Sequence, residues 1–176
     1  MAAFTVIDHT ELTSGANSWT ETGISSSYDH LYLVASARSD KASSDYDMGR
    51  LILGTTSGGG DYSTTTLYAD SSTPQSTRTS SQTFVSFWYV PAADVLADTF
   101  GSIKIWIPHY SNTTNFKSVV GTAAVENNST SNTEWLLFQN AGLVQVTEAV
   151  NAVTLNLPSD DFVEFSTFTL YGVTGA

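Results

Sequence analysis

The side chains that could do proton chemistry near neutral pH are His9, His30 and His109. They stand far apart, none shares a spaced metal motif with a second ligand, and each reads as a strand or turn residue. A Ser/His/Asp triad needs its serine on a sharp elbow, and no G-x-S-x-G occurs among the 24 serines. The triplet Gly58 to Gly60 in "TTSGGGD" is followed by neither the lysine nor the helical pattern of a phosphate cradle, so it reads as a hairpin or surface loop. Asp40, Asp45 and Asp47, with Asp61 further on, are hard oxygen donors of the kind calcium takes. Their spacing matches no EF-hand, and a solvated acidic loop is the preferred reading. Asp160 and Asp161 follow Pro158 in one turn, where two adjacent carboxylates do not flank a sugar across the separation that glycoside hydrolysis requires. No catalytic, cofactor or metal residue is assigned, and the chain is expected not to be an enzyme.

Seventeen acidic residues against six basic ones give a formal net charge of -11, so a nucleic-acid backbone would meet repulsion. With no cysteine there is neither a disulfide framework nor a thiolate zinc site. No stretch approaches the 18 or so apolar residues of a membrane helix, and "MAAFTVIDHTEL" lacks the basic start and apolar run of a secretion signal. Neither nucleic acid nor a membrane is an expected partner.

Whatever this chain binds must be presented by strands. The 24 serines and 25 threonines favour strands and hydrogen-bonding turns over helices. Strict alternation marks "HLYLVASAR", where Leu31, Leu33, Ala35 and Ala37 share a face, and recurs in Gln82 to Val90, in "SIKIWI" and in "AVTLNL". Leu31, Leu33, Phe87, Ile103, Ile105, Leu155 and Leu170 are the expected inner face. Weaker strand signals cover Phe4 to Ile7, Ser18 to Thr22, Arg50 to Leu53, Phe116 to Val125, Glu134 to Gln139 and Phe165 to Val173, for about nine or ten strands in all. The last is expected to be an interior strand paired on both sides. Turn-rich stretches separate them, "ADSSTPQSTRTSS" and "VENNSTSNTE" included, and "PAADVLAD" suits one short helical turn.

Arg38, at the end of the best strand, is expected to hold a carboxylate of the Asp40 to Asp47 segment. Alternation cannot bury all of Trp88, Tyr89, Trp106, Tyr110, Trp135 and Phe138. Trp88 and Trp106 are the candidates for outward contacts, because Phe87, Ile105 and Ile107 compete with them for the interior.

Three stretches, "YDHLYLVASARSD", "FGSIKIWIPHYSNTTNFKSV" and "STFTLYGV", resemble in the same order small virion-surface proteins of tailed bacteriophages. The shared positions here are Tyr28, His30, Leu31, Arg38, Phe100, Gly101, Ile105, Ile107, Tyr110, Lys117, Leu170, Tyr171 and Gly172. Where those proteins often carry Phe-Asn-Gly-Asp before the glycine-rich loop, this chain has "LILGTTSGGGDYS".

The expectation is one domain over residues 1–176, an all-β, antiparallel, jelly-roll-like β-sandwich. The resemblance implies a structural protein on a virion surface, first of all a capsid decoration or cement protein. Its partners would be the major capsid protein or other virion proteins and copies of itself, with a trimer favoured. The alternative is a tail or fibre module recognising a host glycan. No cofactor is implied.

Overall fold

In a computed structural model the described residues are 3–54, 59–70, 73–126 and 136–175; the side chains of Asp70, Phe87 and Trp88 lie outside them. The described residues contain no helix and form an antiparallel β-sandwich. Its strands are β1 (Ala3–Glu11), β2 (Ser18–Thr22), β3 (His30–Ala37), β4 (Tyr46–Leu53), β5 (Tyr62–Asp70), β6 (Thr73–Gln82), β7 (Val85–Pro91), β8 (Gly101–Pro108), β9 (Lys117–Val125), β10 (Leu136–Val144), β11 (Ala152–Asn156) and β12 (Thr167–Thr174). An eight-stranded sheet runs β1-β12-β3-β8-β9-β10-β5-β6 and faces a four-stranded sheet, β2-β11-β4-β7.

The two-residue period places the core. Leu31, Leu33, Ala35 and Ala37 point inward from β3, and Ile103, Ile105 and Ile107 do so from the neighbouring β8. Leu51 and Leu53, Val85 and Val90, and Val153 and Leu155 face them from the smaller sheet. Trp19 of β2 stacks on Phe168 of β12 at 5.6 Å, and Phe162 meets Phe168 edge-on at 5.1 Å. β12 is an interior strand, paired with β1 and β3, with Phe168 and Leu170 buried.

The expected boundaries need correction in four places. "ADSSTPQSTRTSS" is not a loop, since it closes β5 and supplies most of β6. Thr64 and Thr66 fill inward positions of β5 that elsewhere hold aliphatic residues. "PAADVLAD" makes no helical turn; β7 runs through Pro91 and the chain then turns, with Asp98 at φ 63°. The Asp40 to Asp47 segment is not wholly solvated, because Asp47 lies in β4 and is buried. Arg38 holds backbone rather than a carboxylate, as described below. Gly58, Trp135 and most of "VENNSTSNTE" lie outside the described residues.

Eight strands cannot be covered by four. The smaller sheet ends at β7, which packs on β9 and β10 and less extensively on β5, so the inner face of β6 and part of that of β5 extend past its edge.

Candidate functional site

The residues that carry the resemblance divide into scaffold and surface. Arg38 donates from Nη1 to the carbonyls of Leu96 (2.9 Å) and Thr99 (3.1 Å) and from Nη2 to that of Val95 (3.3 Å), pinning the turn after β7. Lys117 is 1 % exposed, and its ammonium donates to the carbonyls of Asn112 (2.7 Å), Asn115 (2.8 Å), Thr147 (3.3 Å) and Val146 (3.5 Å). Burial pulls its pKa down, opposed by nearby Glu148. Both cations serve as ties for loop backbone.

Tyr110 is buried and donates its hydroxyl to the Ser25 carbonyl, and burial pushes its phenol pKa up. Tyr28 lies against Gly172, where an added Cβ would sit 2.4 Å from its ring Cγ. Gly101 passes Pro91 closely enough that a Cβ would come within 2.9 Å of the proline Cδ. Leu31, Ile105, Ile107 and Leu170 are core residues, and Phe100, half-buried, directly precedes β8. These positions therefore hold the fold together.

The remaining motif residues, His30 and Tyr171, open onto the outer face of the large sheet. Side chains there follow registered rows. One row crosses Val6, Tyr171, Tyr32, Trp106, Val120 and Ala141 on six neighbouring strands. Val6 is 55 % exposed and Val120 45 %, with Tyr171, Tyr32 and Trp106 half-buried against one another. Phe4, 58 % exposed, stands edge-on to Tyr32 at 5.8 Å and to Tyr171 at 6.0 Å. Tyr32 and Trp106 are 6.2 Å apart, and His30 packs on Trp106 at 4.9 Å and on His109 at 4.9 Å. His30 Nδ1 also accepts the His109 backbone N–H at 3.2 Å.

Trp106 is thus an outward residue, as its alternation with Ile105 and Ile107 requires. Sequence reasoning did not bring His30, His109, Tyr32 and Phe4 to it. The register signal for Tyr32 lay in β3 all along, since it alternates with Leu31 and Leu33. His9, also outside, bonds Thr169 Oγ1 at 2.8 Å.

The rings of this face supply apolar area and edge-to-face geometry. The acidic cluster is a separate network in which Asp47 accepts from Ser39 Oγ (3.0 Å), Lys41 Nζ (3.2 Å) and the Met48 N–H (2.8 Å). Asp40 accepts the Asp161 N–H at 2.8 Å. The Asp160 carboxyl is pushed up by partial desolvation and by the Asp47 charge. Among the described residues no three His, Asp or Glu side chains are grouped to hold a metal ion. No family model, curated protein or solved structure matches this chain.

Proposed function

We propose that this chain is a structural protein of a tailed-bacteriophage virion, a decoration or cement protein that docks on the capsid through the outer face of its large sheet. The observation that carries the reading is the aromatic row of Tyr171, Tyr32 and Trp106, edged by Phe4 and Val6. Rings and aliphatic side chains side by side on a solvent-facing sheet are the composition of an interface centre. Tyrosine and tryptophan are also the side chains that most often dominate protein binding energy.

The strand order supports a jelly-roll reading. Four strands, β1-β12-β3-β8, face β2-β11-β4-β7, so the first strands of the chain pair with its last ones in both layers. The hairpins β5-β6 and β9-β10 then widen one sheet. Jelly rolls recur in viral capsid and lectin domains. The resemblance in "HLYLVASAR", "FGSIKIWI" and "LYGV" points to the virion among these uses. The chain would lie on the particle surface, assembled in the host cytoplasm. Its net charge of -11 suits an outer shell that must stay soluble and clear of DNA.

Two measurements test this. Quantitative gel analysis of the purified particle should find the chain in hundreds of copies; a few copies would indicate a tail module, and none would end the proposal. Undecorated heads should take up the wild-type chain, while Tyr32→Ser/Trp106→Ser, folded by circular dichroism, should bind at least about tenfold more weakly. Equal uptake would move the docking surface elsewhere.

A further inference from the structure

Where the β5-β6 hairpin overhangs β7, the two sheets leave a cleft of about 230 Å³. Its aromatic wall is a chain of touching rings. Tyr68 stacks on Phe138 at 5.5 Å, Phe138 meets Tyr89 at 4.9 Å, and Tyr89 meets Tyr46 edge-on at 4.7 Å. Hydroxyl and amide groups line the cleft beside these rings, from Thr64, Thr66, Thr77, Thr79 and Asn140. Thr66 Oγ1 donates to Asn140 Oδ1 at 2.6 Å.

Thr64 and Thr79 are register partners on β5 and β6, and both of their Oγ1 atoms are buried with no hydrogen-bond partner. Thr64 is only 3 % exposed. A buried hydroxyl without a partner is rare and costly in a native fold. Two side by side on the wall of a cleft mark a place where a ligand supplies the missing partner, each hydroxyl reaching it by rotation about χ1.

The geometry points to a binding site for one ring of a neutral sugar. Among the described residues lining the cleft none carries a formal charge, so neither an anion nor a cation is selected. A pyranose has an apolar C–H face, matched by the half-buried Tyr68 ring that Phe138 backs, and a rim of hydroxyls that both donate and accept, matched by the threonines. The volume lies below the roughly 300–1,000 Å³ of sites for drug-sized ligands, which limits the cleft to a single ring. Beyond Tyr46 and Tyr89 an open hollow lined by Lys41, Ser44, Asp45 and Asp94 continues from the same wall, so a longer chain has room to leave.

The test is a titration of the full chain with methyl glycosides of glucose, galactose, mannose and N-acetylglucosamine, followed by NMR, with glucuronate and N-acetylneuraminate beside them. At least one neutral glycoside should bind saturably in the millimolar range, and Tyr68→Ala should weaken it about tenfold. Thr64→Val/Thr79→Val should weaken it as well while leaving the unfolding midpoint unchanged or higher, because an unpaired hydroxyl is exchanged for a methyl group. No saturable neutral ligand, preference for the acidic sugars, unaltered affinity in the variants, or a lowered midpoint in the threonine variant would each overturn the assignment. The docking proposal is unaffected by any of these results, since it uses the other face of the sheet.

Discussion

Replacing Gly172 with alanine tests the contact that joins the loop before β3 to the last strand. A Cβ at this position would stand 2.4 Å from Tyr28 Cγ and 2.5 Å from both Cδ atoms. Carbon atoms in favourable contact are about 3.5–4.0 Å apart, so the ring would have to withdraw by roughly 1 Å. It is not free to do so, because the next residue, Asp29, donates its N–H to the Val173 carbonyl at 2.9 Å. Overpacking of this kind costs about 1–3 kcal/mol. The opposing gain, from a less flexible unfolded chain, is about 0.4–1 kcal/mol, so the clash wins. For a domain of this size each kcal/mol lowers the melting temperature by about 2–4 °C, so the net cost of up to about 2.6 kcal/mol gives an expected fall of up to roughly 10 °C. Thermal unfolding of Gly172→Ala should be compared in the wild type and in Tyr28→Ala. Without the ring the substitution should be neutral within about 0.5 kcal/mol. An equal loss in both backgrounds would refute the steric account.

Four other outcomes are expected. Leu33→Ala and Ile105→Ala, both at fully buried positions, should each cost about 2–5 kcal/mol in urea unfolding. Arg38→Lys should speed proteolysis at Val95 to Thr99, whose carbonyls it holds, and leave the Asp40 to Asp47 segment cut at its wild-type rate. Lys117→Met strands carbonyls of two loops and should lower stability by roughly 1.5–3 kcal/mol, with the unfolding midpoint as the readout. Stability should also fall as pH rises above 10. Tyr62, Tyr89 and Tyr110 all have phenol pKa values raised by burial above the ordinary 10.0. Their contribution is complete below that value and is lost as pH climbs through the folded values. Lys117, lowered by burial, works the other way as pH approaches 10.5, but it is one group against three. A urea midpoint that holds steady from about pH 10 to pH 11 would contradict this balance.

Legibility followed physical cause. In β3 and β8 one face is aliphatic and buried, so the alternation of Leu31, Leu33, Ile103 and Ile105 reads directly as register. In β5 and β6 the inward positions are threonines beside a partly uncovered cleft, and no apolar period exists to be seen. Arg38 was legible as a tie, but its acceptors are carbonyls, which every residue carries and no residue type announces. Trp106 could be assigned outward only by ranking it against Ile105 and Ile107. Its grouping with Phe4, Tyr32 and His30 depends on which strands are neighbours, and β1 reaches this cluster only across β12. The cleft arises from the mismatch between an eight-stranded and a four-stranded sheet, a property of pairing order that no local segment encodes.

The placement of β12 between β1 and β3 also sets a timetable. Among the described strands β1 leaves the ribosome first, yet its one partner among them, β12, is completed only at Thr174. At about 5–20 residues per second, the interval is on the order of ten seconds. Throughout it Phe4 and Val6 sit on a strand with no neighbour, and β3 has just one of its two. The large sheet closes only when β12 inserts between β1 and β3, two segments made well before it. Between the making of β1 and that of β12 the chain is therefore open to sheet-edge association, and a cell making many copies at once would need to shield β1 and β3 until β12 has emerged.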